Sequence, residues 1–319
     1  MDIRCTQNIF RSAEGATAIS YYIFRPVGVP LRGIIQISHG MCEYFSRYTM
    51  FAKYLCSLGF MVCGNDHLGH GSSVSPTGAL GFFGQNDGWH VLVKDTATLM
   101  ETMKKRYPDL PYFLLGHAMG AMIVRLYLAE YGGEQLDGCI LCDMPATNSS
   151  AALGIYLSDS VIRSHGPMYR SSMLNNMLFR KYNARISNCT TPFDWLTRDT
   201  KIVSLYQSDA KCNFIFTAAG FRDLFCMMKK CSSLNCVRES PKNVPLLFLA
   251  GDADPAGAYG SGVKKAATAY RAAGNRNVDV IFYKDCRHEL LNELNREEVF
   301  GDISRWLEQR LAEKTDTKE

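Results

Sequence analysis

Leu114-Leu115-Gly116-His117-Ala118-Met119-Gly120-Ala121 decides how this chain is read. The apolar run Tyr112–Leu115 has the length of a buried strand, and an amphipathic stretch from Met119 to Glu130 has the length of a helix. Between them lies a Gly-x-X-x-Gly turn. Glycines at both ends of such a turn let strand and helix backbones approach closely, as they do where a nucleophilic serine sits on a strained elbow. Position 118 should carry that hydroxyl and carries a methyl. The turn therefore points to a chemistry and withholds its nucleophile.

Outward from this turn, strand-length apolar runs alternate with helix-length stretches. Ile34–Ser38 leads to a helix over about 46–58, Phe60–Cys63 to a helix over about 89–106, and Gly138–Cys142 follows the elbow helix. The alternation stops there and resumes with Pro245–Ala250, a helix over about 262–273, Val278–Phe282 and a last helix over about 297–311. Continuous apolar strands separated by helices predict a mostly parallel sheet covered on both faces, an α/β fold. The first 25 or so residues read as two antiparallel edge strands with a turn at Glu14-Gly15. The chain divides into a core over 1–144 and 241–319 and an insertion over 145–240, rich in Met and Phe, that reads as a helical cap or lid over an apolar pocket. The charged tail from Ala312 to Glu319 is expected to fray.

Composition narrows the function classes. The chain has 319 residues, 47% of them hydrophobic and 21% charged, and a net charge of +4 spread without a basic tract. Nucleic-acid binding, which needs a clustered basic patch, is not expected. No secretory signal is evident, and no apolar run nears the roughly 20 residues that span a bilayer. Transient membrane contact by the insertion remains compatible with this. The twelve cysteines are scattered through apolar patterns and read as free thiols in a reducing cytoplasm. Cys139 and Cys142 have C-x-x-C spacing but lie inside a predicted strand, so neither redox chemistry nor a zinc site is expected there.

The residues for acyl transfer follow the elbow in the order Ser, Asp/Glu, His that such a fold requires. Gly251-Asp252-Ala253-Asp254-Pro255 places a carboxylate just beyond one strand, and Cys286-Arg287-His288-Glu289 places an imidazole beyond the next. His288 is the candidate general base. Asp252 and Asp254 compete for the role of orienting acid. Ser38-His39-Gly40-Met41-Cys42-Glu43, after an early strand, is placed to offer a second oxyanion N–H, from Met41, beside that of Met119. His67 and His70, three apart in a glycine-rich loop, lack a third ligand, and no metal is expected.

Taken together, His39-Gly40-Met41-Cys42-Glu43 with Arg47-Tyr48, Asp66-His67-Leu68-Gly69-His70-Gly71-Ser72, Gly116-His117-Ala118-Met119-Gly120, Gly251–Pro255 and Arg287–Glu293 resemble the serine α/β-hydrolases of the monoacylglycerol lipase and lysophospholipase group. The resemblance spans about residues 20–310 and is thin through the insertion. It implies an eight-stranded α/β-hydrolase sheet with a cap after the sixth strand, hydrolysis of an acyl ester or lipid, and no cofactor. It selects Asp254 over Asp252 as the acid, and Gly40, His117, Met144, Phe214 and Phe221 are expected to touch substrate. Two positions depart from the group: Cys42 where Gly is common, and Ala118 where Ser is the rule. The intact motifs around Ala118 favour an engineered serine-to-alanine exchange. The alternatives are a natural, non-catalytic lipid-binding protein, or a hydrolase for amides, peptides or other acylated small molecules. Oligomeric state and acyl-chain length stay open.

Overall fold

A computed structural model describes residues 2–75, 78–146 and 150–316. Eight strands form one sheet in the order β1-β2-β4-β3-β5-β6-β7-β8. They are β1 (Ile3–Arg11), β2 (Ala18–Pro26), β3 (Gly33–Ser38), β4 (Phe60–Asn65), β5 (Tyr112–His117), β6 (Gly138–Cys142), β7 (Leu246–Gly251) and β8 (Val278–Tyr283). From β4 to β8 every neighbouring pair is parallel, and β1 and β2 run antiparallel. The α/β-hydrolase fold expected from the motifs is the fold observed. One detail differs: of these first two strands β1 alone is an edge, because β2 pairs on its other side with β4.

The helices are α1 (Thr49–Ser57), α2 (Gly88–Arg106), α3 (Met119–Tyr131), α4 (Ala151–His165), α5 (Ser172–Phe179), α6 (Thr200–Ser208), α7 (Ala218–Ser232), α8 (Leu234–Glu239), α9 (Ser261–Ala272) and α10 (Arg296–Asp316). The single helix expected over 46–58 is a 3₁₀ turn at Phe45–Tyr48 followed by α1. The tail expected to fray from residue 312 continues as α10 to Asp316; residues 317–319 lie outside the described part.

Alternation along the strands explains the two-layer core. Side chains two apart share a face. Ile34, Tyr112, Leu114 and Cys139 therefore join the cluster under α2, α3 and α7, while Ile35, Ile37, Phe113, Leu115 and Cys142 join the cluster under α1 and α10. Cys139 and Cys142, three apart, consequently project from opposite faces. All twelve cysteines are free.

Two features of the topology place a site. The chain runs from β3 outward to β4 and then returns to β5 on the other side of β3, so the strand order reverses between β3 and β5. Loops at the C-terminal ends of strands flanking such a reversal frame the crevice where ligands bind in open α/β sheets. Between β6 and β7, helices α4 to α8 form an insertion that packs α7 onto α3 and α4 onto α7.

Candidate active site

The elbow has the geometry that its glycines imply. A β-carbon on Gly116 would stand 2.4 Å from the Gly120 carbonyl oxygen, and one on Gly120 would stand 1.9 Å from the Ser38 oxygen. Neither contact is possible, so strand β5, helix α3 and the end of β3 meet only because both positions lack side chains. At the apex Ala118 has φ 50°, ψ −114°, a left-sided conformation that costs a non-glycine residue on the order of 1–3 kcal/mol. It is held from both sides: the Ala118 N–H donates to the Cys142 carbonyl at 3.0 Å, and the Ala118 carbonyl accepts from Ala121 N–H at 3.0 Å.

Asp254 and His288 arrive from the ends of β7 and β8. The His288 Nδ1 donates to Asp254 Oδ1 at 3.1 Å, with both side chains buried. Asp254 is fixed in turn by the backbone N–H groups of Ala256 (2.8 Å) and Gly257 (3.0 Å). Burial alone would lower the His288 pKa, but the Asp254 carboxylate and its hydrogen bond outweigh that and raise it. Asp252 is exposed and accepts from the Asp285 N–H. Among the described residues the Met41 and Met119 N–H groups donate to no backbone carbonyl.

Ala118, His288, Gly40, Met41, Met119, His117 and Phe214 all border one cavity of about 450 Å³. Its outer wall comes from the insertion, including Met177, Tyr182, Trp195, Tyr206 and Met228. Met144 and Phe221, expected to touch substrate, stand behind that wall. The Met144 sulfur faces the Arg125 guanidinium at 3.4 Å, and Phe221 sits in a ring stack between Phe216 and Phe225. Their apolar side chains are absorbed by packing beneath the pocket surface.

The loop after β3 joins core to insertion. Cys42 adopts φ 54°, the backbone region that favours glycine, and its thiol donates to the Phe214 carbonyl at 3.1 Å. Tyr44 hydroxyl donates to Asp209 at 2.7 Å, and the Arg47 guanidinium lies 5.0 Å over the Tyr206 ring. On the other side Glu289 N–H donates to the Leu196 carbonyl at 2.7 Å, and the Trp195 and His288 rings are 4.9 Å apart.

A buried charge network lies behind the elbow, and of its members only Gly40 and His117 carry a role expected from the sequence. One oxygen of Glu43 accepts from Tyr48 hydroxyl (2.6 Å), His117 Nδ1 (2.9 Å) and the Gly40 N–H; the other accepts from Arg47 at 2.8 Å. Arg47 also makes a two-pronged pair with Glu289, both contacts at 2.7 Å. The His117 Nε2 faces the His288 carbonyl at 3.3 Å and Asp143 at 3.7 Å. Burial opposes protonation of His117, yet Glu43 and then Asp143 and Glu289 push it up to about 9. Asp143, which immediately follows β6, is pushed up to about 7 by burial, against the pull of His117 and His288. Its place just past a strand end is the same signal that nominated Asp252 and Asp254, so the sequence could have nominated it.

Comparison with known proteins agrees with the fold. Residues 29–295 match the family described as serine aminopeptidase, S33. The chain is 28% identical over 308 residues to a monoglyceride lipase from Homo sapiens, an alignment covering 94% of this chain and 90% of that protein. A monoacylglycerol lipase from Mycolicibacterium smegmatis is 26% identical, with 92% and 94% covered. Among solved structures, a thermostable carboxyl esterase from Bacillus coagulans in complex with glycerol superposes with a TM-score of 0.90 at 29% identity, covering 96% of this chain and 99% of the other. A lipase in its open form superposes at 0.88 and 27%, covering 97% and 99%.

Proposed function

The chain belongs to the serine aminopeptidase S33 family of α/β-hydrolases, in its monoglyceride-lipase group, and within it we propose the scaffold of a carboxylic-ester hydrolase for mono-acyl amphiphiles in which Ala118 replaces the nucleophilic serine. The observation that carries this reading is that Ala118, Met41, Met119 and His288, the last bonded to Asp254, border a single cavity. We read residues 145–240 as a cap over a core of 1–144 and 241–319.

With serine at 118, the hydroxyl proton passes to His288 Nε2 as the oxygen attacks the ester carbonyl. Asp254 holds the ring by Nδ1 and stabilises its charged form. The two N–H groups receive the oxyanion, the alcohol leaves with the proton from His288, and water then repeats the sequence on the acyl-enzyme. With alanine no acyl-enzyme forms, and the remaining apparatus supplies at most an acceleration of roughly 10³–10⁴ over water.

The cavity also narrows the headgroup. Its lining includes no lysine or arginine among the described residues, and its two carboxylates, Glu43 and Glu289, are both engaged by Arg47. A phosphodiester headgroup would find no cationic fork there. A neutral, hydroxylated leaving group fits better, which favours monoacylglycerols over lysophospholipids.

The test is a paired assay of this protein and its Ala118→Ser variant on monoacylglycerols of graded acyl length, matched lysophospholipids and an acyl amide. We expect the serine variant to gain on the order of 10⁶ in kcat on long-chain monoacylglycerols, with lysophospholipids slower. Preference for short, water-soluble esters would overturn the substrate, and preference for the amide would overturn the bond. A second reading rests on Ala118 itself: a natural lipid-binding protein. In that case the serine variant hydrolyses none of these substrates while both proteins retain a lipid ligand.

A further inference from the structure

A buried segment without helix or strand has to find its backbone hydrogen bonds elsewhere in the molecule. Between α5 and α6 the insertion runs irregularly, yet Trp195, Leu196 and Thr197 are only 9%, 4% and 1% exposed. The carbonyls of four consecutive residues there, Asp194 to Thr197, all accept from one short stretch of the core, residues 287–289. The Arg287 guanidinium donates to the Asp194 carbonyl at 2.6 Å and to that of Thr197 at 3.1 Å. The His288 N–H donates to the Trp195 carbonyl at 3.4 Å, and the Glu289 N–H to that of Leu196 at 2.7 Å. The partners of this segment are therefore His288 and its two neighbours in the chain.

A carboxylate closes the contact. Glu293 is fully buried. One of its oxygens accepts from the Arg198 N–H at 3.2 Å and the Arg287 N–H at 2.9 Å, and the other from Arg198 Nε at 2.9 Å and the Leu294 N–H at 3.0 Å. The Thr197 hydroxyl donates to the Asn292 carbonyl at 3.0 Å, and Arg296 pairs with Asp199 at 3.2 Å, where α6 begins. Each of the six residues from Asp194 to Asp199 is thus bonded to the stretch 287–296. Helix α4, by contrast, packs on α7, another helix of the insertion. Two core side chains hold the stretch from its other side: His117 Nε2 donates to the His288 carbonyl at 3.3 Å, and Asp143 accepts from the Leu290 N–H at 3.0 Å. The main chain of His288 is therefore held at its N–H by the insertion and at its carbonyl by the elbow, with the Trp195 ring 4.9 Å from the imidazole.

We propose that residues 194–199, part of the insertion by chain position, form a fixed strap that positions the catalytic base, with Arg198 and Glu293 as the positioning residues that lock it to the core; this rests on reading His288 as that base. A general base acts through geometry. Its Nε2 has to stand within hydrogen-bond reach of the oxygen at position 118 while its Nδ1 stays on Asp254, and a displacement of about 1 Å costs on the order of 10²-fold in rate. Trp195 and Leu196 also border the cavity, so the strap is at once a wall of the pocket and the outer support of the base. Opening of the cap then turns about the ends of the strap and leaves the strap on the core. Deleting the whole insertion would disable the base as well as uncover the pocket.

The test starts with the protein as it stands. Hydrogen exchange should find the His288 and Glu289 N–H groups protected as strongly as those of β8 and more strongly than those of α5. Exchange as fast as in α5 would mean that the segment moves with the outer cap, and would overturn the proposal even if the variants below fail to fold. Glu293→Gln keeps the shape of the side chain and removes the charge that gathers Arg198 and Arg287. In that variant the low-field Nδ1–H resonance of His288, assigned by its absence from His288→Gln, should exchange faster with water. In the Ala118→Ser background Glu293→Gln should lower kcat by roughly tenfold or more and change KM less. Arg198→Lys, which keeps the cation, should lose less than Arg198→Met. A Glu293→Gln protein that melts lower yet keeps the resonance and kcat would show a contact that serves stability alone, and would also overturn the proposal. If Ala118→Ser hydrolyses nothing, the ester reading fails, while hydrogen exchange and the His288 resonance still decide the strap.

Discussion

Two sets of buried histidines flank Ala118, and their hydrogen bonds put them in opposite charge states. On one flank both nitrogens of His117 face acceptors, Glu43 Oε1 at 2.9 Å and the His288 carbonyl at 3.3 Å, so the ring needs two protons and is a cation. On the other flank His39, His67 and His70 lie together, with ring centres 4.2 to 6.4 Å apart. His39 Nδ1 donates to the Gly40 carbonyl while its Nε2 accepts from the His67 N–H at 2.9 Å. His67 Nδ1 accepts from the Asn65 amide at 3.5 Å, leaving Nε2 to donate to Ser38 at 3.0 Å. His70 donates from Nδ1 to the Leu68 carbonyl, and its buried Nε2 has no partner among the described residues. One proton serves the hydrogen bonds of each of these rings. The same side chain thus serves as a fixed charge where carboxylates surround it and as a neutral brace where backbone does. Both flanks converge on Gly40, whose N–H is held by Glu43 and whose carbonyl is held by His39.

The sharpest way to break this contrast is Glu43→Gln. The substitution keeps the shape of the side chain but removes the charge that binds Arg47 and protonates His117, and it turns an oxygen with three donors into part of an amide. Removing one partner of a buried ion pair costs about 3–5 kcal/mol, and we expect a loss in that range by urea unfolding. In the Ala118→Ser background kcat should fall as well, because the Gly40 N–H no longer fixes the loop that presents Met41. A loss under about 1 kcal/mol, typical of an exposed pair, would show that the charged flank does not hold the loop.

Next in size is the effect of pH, which acts on the two flanks with opposite signs. His117 rises in the folded state from about 6.5 to about 9. Its contribution is therefore complete below about pH 6.5 and is lost as pH climbs through about 9; at about 1.4 kcal/mol per tenfold change in proton affinity it amounts to roughly 3 kcal/mol. Burial lowers His39, His67 and His70, so the folded protein takes up protons on them less readily than the unfolded chain. Their contribution is present above about pH 6.5 and falls away as the solution becomes acidic. Unfolding midpoints measured across pH should show both limbs. His117→Asn should flatten the alkaline limb and leave the acid one. Loss of the acid limb in that variant instead would mean that the charge assignments are reversed.

The same contrast explains what could be read in advance. Strand and helix placement was legible because β3, β5 and β6 carry at most two polar residues each, and Gly116 and Gly120 mark a turn where backbone contact forbids side chains. The Asp254–His288 pair was legible in part: both residues lie a few positions past strand ends, and the resemblance chose Asp254 over Asp252. Arg47 and Glu289 lie 242 residues apart, and only the fold of the whole sheet brings them together. No local pattern signals a pairing of that range. His67 and His70 drew notice as metal ligands by spacing, yet their roles follow from Asn65, Ser38 and Leu68, which only the fold presents to them. In the insertion, Phe214 and Phe221 share one composition, but one faces the cavity and the other the ring stack; with helices α4 to α8 packing together there, periodicity alone does not say which.

The smallest expected effect falls at the point where the flanks meet. Ala118→Ser adds one oxygen to a side chain that already points into the cavity, on a backbone held at φ 50° by neighbours that do not touch the new atom. No methylene is added to the core and no hydrogen bond is lost, so stability should change by no more than about 0.5 kcal/mol. Thermal unfolding of the two proteins should nearly superimpose while their activities diverge. A serine that lowered the melting temperature by several degrees would be one for which the cavity, His288 and the Gly40 loop leave no room. That result would count against a site built around a hydroxyl, even though every other element of the apparatus is in place.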